Sequence, residues 1–310
     1  MDMCVDVVTG GAGFIGSHLT EALVEDGHEV RVVDDLSTGN PDNIEHLRNS
    51  ISFTKGDIGD GALMREICEG ADIVYHQAAL ASVQRSVKNP VATNRVNVGG
   101  TLQVLDAARA AGVRRVVYAS SSSVYGDSPT LPKKESLPLD PMSPYATSKA
   151  AAEFYCRNYN ALFELETVAL RYFNVFGPRQ DPDSEYAAVI PIFISCILDG
   201  RSPTVYGDGE QSRDFTYISD VVKANRLAAE TPEAPGKVVN VGRGERHTLN
   251  ELLELLGLIT GRDVRPTYTE KRPGDVRHSQ AKIAKAKNVL HYQPSVAFSD
   301  GIRQTVEWYR

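Results

Sequence analysis

The chain has 310 residues, 42% hydrophobic and 24% charged, with a formal net charge of −7. That length and apolar content suit one large soluble unit, or two smaller ones, around a substantial core. The acidic balance argues against a nucleic-acid-binding surface, and no apolar run approaches the roughly 18–20 residues that span a bilayer.

The first element is the apolar run Cys4-Val5-Asp6-Val7-Val8, which reads as a strand and leaves no room before it for a signal peptide. It runs into Thr9-Gly10-Gly11-Ala12-Gly13-Phe14-Ile15-Gly16, and a helical pattern begins near Ser17. Strand, glycine turn and helix in that order make a nucleotide-binding entrance. Glycines let the backbone take positive φ and approach a ligand that a Cβ would hold off. Free N–H groups and the helix dipole then face a pyrophosphate.

Glu29-Val30-Arg31-Val32-Val33 reads as a second strand ending at Asp34-Asp35, and Ile51-Ser52-Phe53-Thr54 as a third, followed by Gly56-Asp57-Ile58. A helix over about 60–69 leads to the fourth strand, Asp72-Ile73-Val74-Tyr75-His76, and then Gln77-Ala78-Ala79. One long helix over about 91–111 precedes a fifth strand, Arg115-Val116-Val117-Tyr118-Ala119. A helix from near Ser143 precedes a sixth, Glu166-Thr167-Val168-Ala169-Leu170-Arg171. Strands alternating with helices imply a parallel sheet covered on both faces, and right-handed crossovers make it doubly wound, of the Rossmann kind.

After Arg171 the rhythm breaks at Gly177-Pro178-Arg179-Gln180-Asp181-Pro182. A helix over about 187–199, the short segment Pro203-Thr204-Val205-Tyr206 and one more sheet strand, Lys237-Val238-Val239-Asn240-Val241, follow. The expected architecture is an α/β doubly wound parallel sheet of about seven strands with a smaller α/β substrate domain. Residues 1–172 plus 212–242 form the first domain, and 173–211 plus 243–310 the second. Cys4, Cys68, Cys156 and Cys196 lack metal or redox spacing, and the histidines are scattered, so reduced thiols in a cytoplasmic protein without a metal are expected.

Three constellations carry chemistry. Asp34 lies 18 residues beyond Gly16, near the spacing at which a carboxylate takes the adenosine ribose hydroxyls; it repels a 2′-phosphate and so favours NAD over NADP. Tyr145 and Lys149, four apart in Tyr145-Ala146-Thr147-Ser148-Lys149, share a helix face, with Ser143 as cap and Pro144 in the first turn. An ammonium near a phenol favours the phenolate, so the pair is expected to lower the tyrosine pKa towards neutrality. Isolated, this spacing is common on solvated helix faces; after strand five of a dinucleotide fold it is a proton-transfer pair for a hydroxyl losing hydride to NAD. Ser120-Ser121-Ser122-Ser123-Val124-Tyr125-Gly126 puts hydroxyls at a strand's carboxyl end, where ligands bind in such sheets.

Together these features resemble the extended short-chain dehydrogenase family, in particular its NAD-dependent nucleotide-sugar epimerases (UDP-glucose and UDP-N-acetylglucosamine 4-epimerases), over essentially the whole chain. The resemblance implies that Ser121, beside Tyr145, holds the sugar 4-oxygen, with Ser123 a second contact, and that Lys149 binds the nicotinamide ribose. Gly10, Gly13, Phe14, Ile15 and Gly16 would hold the pyrophosphate. Asp34, Ser37, Thr38 and Gly39 would surround the adenosine ribose, and Asp57 and Ile58 the adenine. Gln77, Ala78, Ala79, Asn97 and Tyr172 would complete the cofactor cleft. Asn174, in Arg171-Tyr172-Phe173-Asn174-Val175-Phe176-Gly177-Pro178, would contact the substrate phosphates. Val189, in Ala188-Val189-Ile190-Pro191, and Thr204, Val205 and Tyr206 would enclose uracil. Arg213 and Arg272 would clamp the diphosphate, a role suited to a permanently charged, forked donor. Asp275 would take the uridine ribose.

The resemblance also narrows the reaction. A 4,6-dehydratase needs an Asp-Glu pair where this chain has Ser122 and Ser123, which argues against dehydration. Epimerisation needs only Tyr145, Ser121, Lys149 and NAD. Ser279, in Asp275-Val276-Arg277-His278-Ser279-Gln280-Ala281, stands where the family walls the hexose pocket; a small residue there implies that 2-acetamido sugars enter. Arg179-Gln180-Asp181-Pro182 and Tyr186-Ala187-Ala188-Val189 look like the N-acetylhexosamine-using branch. The alternatives are a UDP-glucuronate 4-epimerase or decarboxylase, and a catalytically silent NAD-sensing binding protein. The implied assembly is a homodimer, with the helices over about 91–111 and 143–162 pairing with their copies; the partners are a UDP-sugar, no nucleic acid and no membrane.

Overall fold

The computed structural model describes residues 4–183, 188–271 and 276–310. Seven strands form the central sheet: β1 (Val5–Thr9), β2 (Glu29–Asp34), β3 (Ile51–Lys55), β4 (Ile73–His76), β5 (Arg115–Ser121), β6 (Glu166–Tyr172) and β7 (Val238–Val241). Their spatial order is β7-β6-β5-β4-β1-β2-β3, and every adjacent pair is parallel. Val8 lies between Val32 of β2 and Tyr75 of β4, so the chain winds outward from β1 in one direction and then crosses to β4. A crevice opens at that reversal, at the carboxyl ends of the strands.

The strands are near-continuous apolar runs because both faces are covered. Successive side chains point to opposite sides. On one face Val8, Val32, Tyr75, Val117 and Leu170 pack with Leu19 and Leu23 of helix α1 (Phe14–Glu25) and with Val221 and Ala228 of the helix Ile218–Glu230. On the other, Val7, Val74, Val116 and Tyr118 meet Met64 and Ile67 of α2 (Gly61–Cys68), Leu105 of α3 (Thr101–Ala110) and Ala152 of α4 (Pro144–Leu162).

A third apolar cluster gathers Phe193 and Ile197 of α5 (Val189–Leu198), Val205, Phe215, Leu252 and Leu256 of the helix Leu249–Thr260, and Ile302 of the C-terminal helix Phe298–Tyr309. The Phe215 and Phe298 rings stack with centroids 5.4 Å apart. Thr248 and Glu251 form a reciprocal capping box at the start of Leu249–Thr260.

One expected element differs. The stretch expected as a single helix over about 91–111 is an α-turn (Pro90–Asn94), a π-helical segment (Arg95–Gly100) and then α3. Gly99 and Gly100 fall within the widened turn, and buried Asn97 is tied there by its side chain to Leu80 and Ser148. Hydrophobic periodicity is almost blind to one inserted residue. Among the described residues no helix is long and apolar enough to cross a membrane.

Candidate active site

The glycine turn follows β1 because side chains at Gly10 and Gly16 are forbidden there. Gly10 has φ +69°, and a Cβ on it would lie 2.7 Å from the Ala78 Cα. A Cβ on Gly16 would lie 2.1 Å from the Gly10 carbonyl oxygen, with which Gly13 N–H makes a 3.1 Å bond. Gly13 precedes α1 without a side-chain cap, so the first helical amides face the crevice as donors. The crevice is about 290 Å³ and is lined by Gly10, Gly13, Phe14, Ile15, Gly16, Asp34, Ser37, Thr38, Asp57, Ile58, Gln77, Ala78, Ala79, Tyr145, Lys149 and Tyr172. Amide donors at the helix start and the Asp34 carboxylate in the same lining fit a dinucleotide.

Buried Asp34 accepts N–H bonds from Ala12 at 3.0 Å and Leu36 at 2.8 Å, and burial raises its carboxyl pKa. Gly39, expected around the adenosine ribose, instead backs this carboxylate: a Cβ there would lie 2.8 Å from Asp34 Oδ1, and the residue does not line the crevice. Asn97 is a second correction. It is buried behind the crevice wall, donating to Leu80 O at 3.2 Å and Ser148 Oγ at 3.0 Å and accepting from Leu80 N–H at 2.8 Å. Tyr172 does reach the lining, and its hydroxyl donates to Asn225 Oδ1 at 2.9 Å, beside Gln77.

At the other end of the crevice, α4 begins at its Ser143 cap, whose hydroxyl accepts Ala146 N–H at 3.1 Å. Tyr145 is half-buried there. Burial raises its phenol pKa, while a hydrogen bond with Ser121 pulls it down. The expectation that Lys149 acts directly on the phenol is not met. Lys149 Nζ donates to Ala119 O at 2.7 Å and sits 5.0 Å above the Tyr118 ring, and burial lowers its pKa to about 8. Ser121 Oγ accepts Ser123 N–H at 3.1 Å. Ser123 Oγ is buried without a protein partner among the described residues, leaving a polar atom for a ligand.

A second cavity, of about 820 Å³, adjoins the first and shares Ala81 with it. Of the expected substrate residues it brings together Asn174, Val189, Thr204, Tyr206 and Arg213. Asn174 takes φ +25° and donates to Asp214 O at 3.4 Å. Val205 is a correction: in the short strand Thr204–Tyr206 it points the opposite way from its neighbours and is fully buried in the third core. Ser279 flanks the cavity rather than lining it, its N–H bonded to Ser212 O at 3.0 Å beside Arg213. Arg272, Asp275, Tyr186 and Ala187 lie outside the described residues.

Several lining groups escaped the sequence reading. Residues 81–84, Val87 and Lys88 wall the second cavity with Gln180, Phe193, Gln211 and Phe215. The stretch 80–88 follows the carboxyl end of β4, where the crevice rule directs attention; that position was the available signal.

Known proteins share this geometry. Residues 7–242 match the family described as NAD dependent epimerase/dehydratase. A UDP-glucose 4-epimerase of Mycolicibacterium smegmatis is 42% identical over 308 residues, covering 98% of each chain. The structure of a UDP-N-acetylglucosamine 4-epimerase from Methanobrevibacter ruminantium M1, in complex with UDP-N-acetylmuramic acid, superposes with a TM-score of 0.95 at 43% identity, covering 100% of this chain and 99% of that one. A UDP-glucose 4-epimerase of Thermus thermophilus, solved with NAD, gives 0.90 at 39% identity and 99% coverage of both. The chain belongs to the NAD-dependent epimerase/dehydratase family, and NAD is its cofactor.

Proposed function

We propose that the protein is a UDP-hexose 4-epimerase that inverts C4 through a 4-keto sugar, acting on UDP-glucose/UDP-galactose and on their 2-acetamido counterparts. One observation carries this reading. Tyr145, whose phenol pKa burial raises and the neighbouring Ser121 pulls down, lies with Lys149 on the wall of the dinucleotide crevice, which a larger cavity adjoins at Ala81. Names of relatives sharing 42–43% of their residues support the same substrate class.

Bound NAD supplies a hydride acceptor that later becomes the donor. The glycine turn would hold its pyrophosphate, Asp34 its adenosine ribose and Lys149 its nicotinamide ribose. Tyr145 would take the proton of the 4-hydroxyl and return it to the 4-oxygen after the ring has turned. Ser121 would keep that oxygen within reach through both half-reactions, and the idle hydroxyl of Ser123 would give the sugar a second contact. Arg213, together with Arg272, would hold the diphosphate while the hexose alone rotates. Neither Ser122 nor Ser123 supplies the acid–base pair of a dehydratase. Ser279, small and beside Arg213, would leave room for an acetamido group.

In this reading residues 1–172 and 212–242 form the NAD domain, and 173–211 and 243–310 the UDP-sugar domain. The exposed apolar side chains Val91 (77%), Leu162 (70%), Phe154 and Phe163 on the 90–94 turn and on and just beyond α4 fit a homodimer that covers this face. Free Cys4, Cys68, Cys156 and Cys196 fit a cytoplasmic enzyme. The deciding experiment incubates purified protein with UDP-galactose and, separately, UDP-N-acetylgalactosamine, without added NAD. Conversion to the gluco epimers supports the proposal. Turnover of UDP-glucuronate alone, or of no sugar, defeats it in favour of the uronate or silent alternatives.

A further inference from the structure

Beneath the cofactor crevice, one buried histidine links the strand that leads into the glycine turn to Thr101, at the start of α3. His76, at the end of β4, is 1% exposed. Its Nδ1 lies 2.7 Å from Thr9 Oγ1 and its Nε2 lies 2.9 Å from Thr101 Oγ1. The flanking bonds order the protons. Thr101 donates its single hydroxyl proton to Asn97 O at 2.7 Å, so its oxygen accepts from Nε2–H. Thr9 Oγ1 accepts Ala78 N–H at 3.2 Å and gives its own proton to Nδ1. The neutral Nε2–H tautomer therefore satisfies both ends, an assignment made from the network.

The chain of bonds continues to the catalytic helix. Asn97, in the π-helical segment, bonds both the N–H and the carbonyl of Leu80 and also Ser148 Oγ, which donates to Tyr145 O at 2.8 Å. The Gln77-Ala78-Ala79-Leu80 wall of the crevice is thereby tied at one end to β1 and at the other to α4. His76 itself does not line the crevice.

We propose that His76 is a positioning residue: as a neutral imidazole it spans Thr9 and Thr101 and so holds the 77–80 wall and the Tyr145 helix at the separation that NAD requires. The proposal rests on the cofactor crevice described above. Lys149 is the charge that acts on the ring, and the neutral, buried phenol of Tyr118 packs against it with centroids 5.6 Å apart. Burial and Lys149 both lower the histidine pKa, to about 3, so the ring keeps its acceptor through ordinary pH. A π-segment at such a junction is in keeping with the concentration of these bulges at functional sites.

The test compares His76→Leu, His76→Gln, Thr101→Val and Thr9→Val. It measures NAD affinity of the cofactor-stripped protein, thermal unfolding, and KM for the UDP-sugar. The expected result is that His76→Leu weakens NAD binding by about 10- to 100-fold, the range that orphaned buried polar groups produce, with KM for the sugar little changed. His76→Gln, which can donate to Thr101, should recover most of the loss, and Thr101→Val should lose affinity in the same direction even if His76→Leu proves too unstable to purify. Thr9→Val leaves Nδ1 buried without its donor and Ala78 N–H without its acceptor, so NAD affinity should fall in the same direction. Parent-like NAD binding in Thr101→Val and Thr9→Val would overturn the link. Failure of the parent to bind NAD would overturn the crevice reading with it. Because NAD binding is read without a sugar, a wrong substrate assignment leaves this result standing.

Discussion

Arg171 grips Glu153 in a two-pronged ion pair, Nε to Oε1 at 2.9 Å and Nη2 to Oε2 at 2.7 Å, with both side chains almost fully buried. Ser120 Oγ also bonds Glu153 Oε1, and the guanidinium lies 4.7 Å above the Tyr125 ring. The pair therefore stands directly behind the serine loop that carries Ser121 and Ser123. Removing one partner leaves a buried charge without its counter-ion. Glu153→Leu or Arg171→Met should each destabilise by about 3–5 kcal/mol, read as a lowered midpoint in urea unfolding. The double substitution Glu153→Leu/Arg171→Met should cost less than the two singles combined; strict additivity would contradict a direct coupling.

Replacing the phenol tests the proposed base. Tyr145→Phe should lower kcat by about 10²–10⁴-fold, the range for loss of a positioned acid–base group, and should leave NAD binding nearly intact. Near-parental turnover would remove Tyr145 from the mechanism.

Gly16→Ala should abolish NAD retention. The new methyl would sit 2.1 Å from the Gly10 carbonyl oxygen, a backbone atom that cannot move without opening the turn. Overpacking of this kind costs about 1–3 kcal/mol of stability. A thermal midpoint equal to the parent's, with NAD still bound, would show that the turn has slack.

Asp214 gives a pH-dependent contribution with a definite sign. It is fully buried, accepts N–H bonds from Arg243, Gly244 and Ala281, and its pKa is raised to about 6 because burial outweighs those bonds. A carboxyl whose folded pKa lies above its unfolded value stabilises the fold when protonated. That contribution is complete below about pH 4 and is lost as pH rises through about 6. Relative to Asp214→Asn, the parent should therefore gain stability between pH 7 and pH 4, measured by unfolding of both proteins in matched buffers. A constant difference across that window would mean that Asp214 titrates normally.

Ser279→Tyr addresses sugar width. The phenol should exclude acetamido sugars, cutting kcat/KM for UDP-N-acetylgalactosamine far more than that for UDP-galactose. Unchanged turnover of the acetamido substrate would refute the gatekeeper assignment.

The sheet was legible because each strand is a short apolar run closed by turn chemistry, as in Ile73-Val74-Tyr75-His76 before Gln77. Much of the crevice lining was legible for a related reason: Gly10 and Asp34 stand at strand ends, and Lys149 one helical turn beyond Tyr145. Asn97 and Val205 were misplaced because sequence reveals proximity more readily than direction. A π-turn rotates Asn97 to Leu80 and Ser148, and strand alternation sends Val205 into the core. The Glu153–Arg171 and His76–Thr101 contacts join residues 18 and 25 apart across packed layers. No local pattern announces such pairs. The relation between Tyr145 and Lys149 was read from helix spacing alone; burial and the Ala119 carbonyl then decide where the ammonium goes.

Ala81 borders both cavities. The backbone from Gln77 to Lys88 thus passes from one cavity to the other, residues 77–81 lining the first and 81–84 with Val87 and Lys88 the second. If the second cavity takes the sugar nucleotide as proposed, its ligand and the cofactor rest on one stretch of backbone, and a shift of that stretch is felt in both chambers.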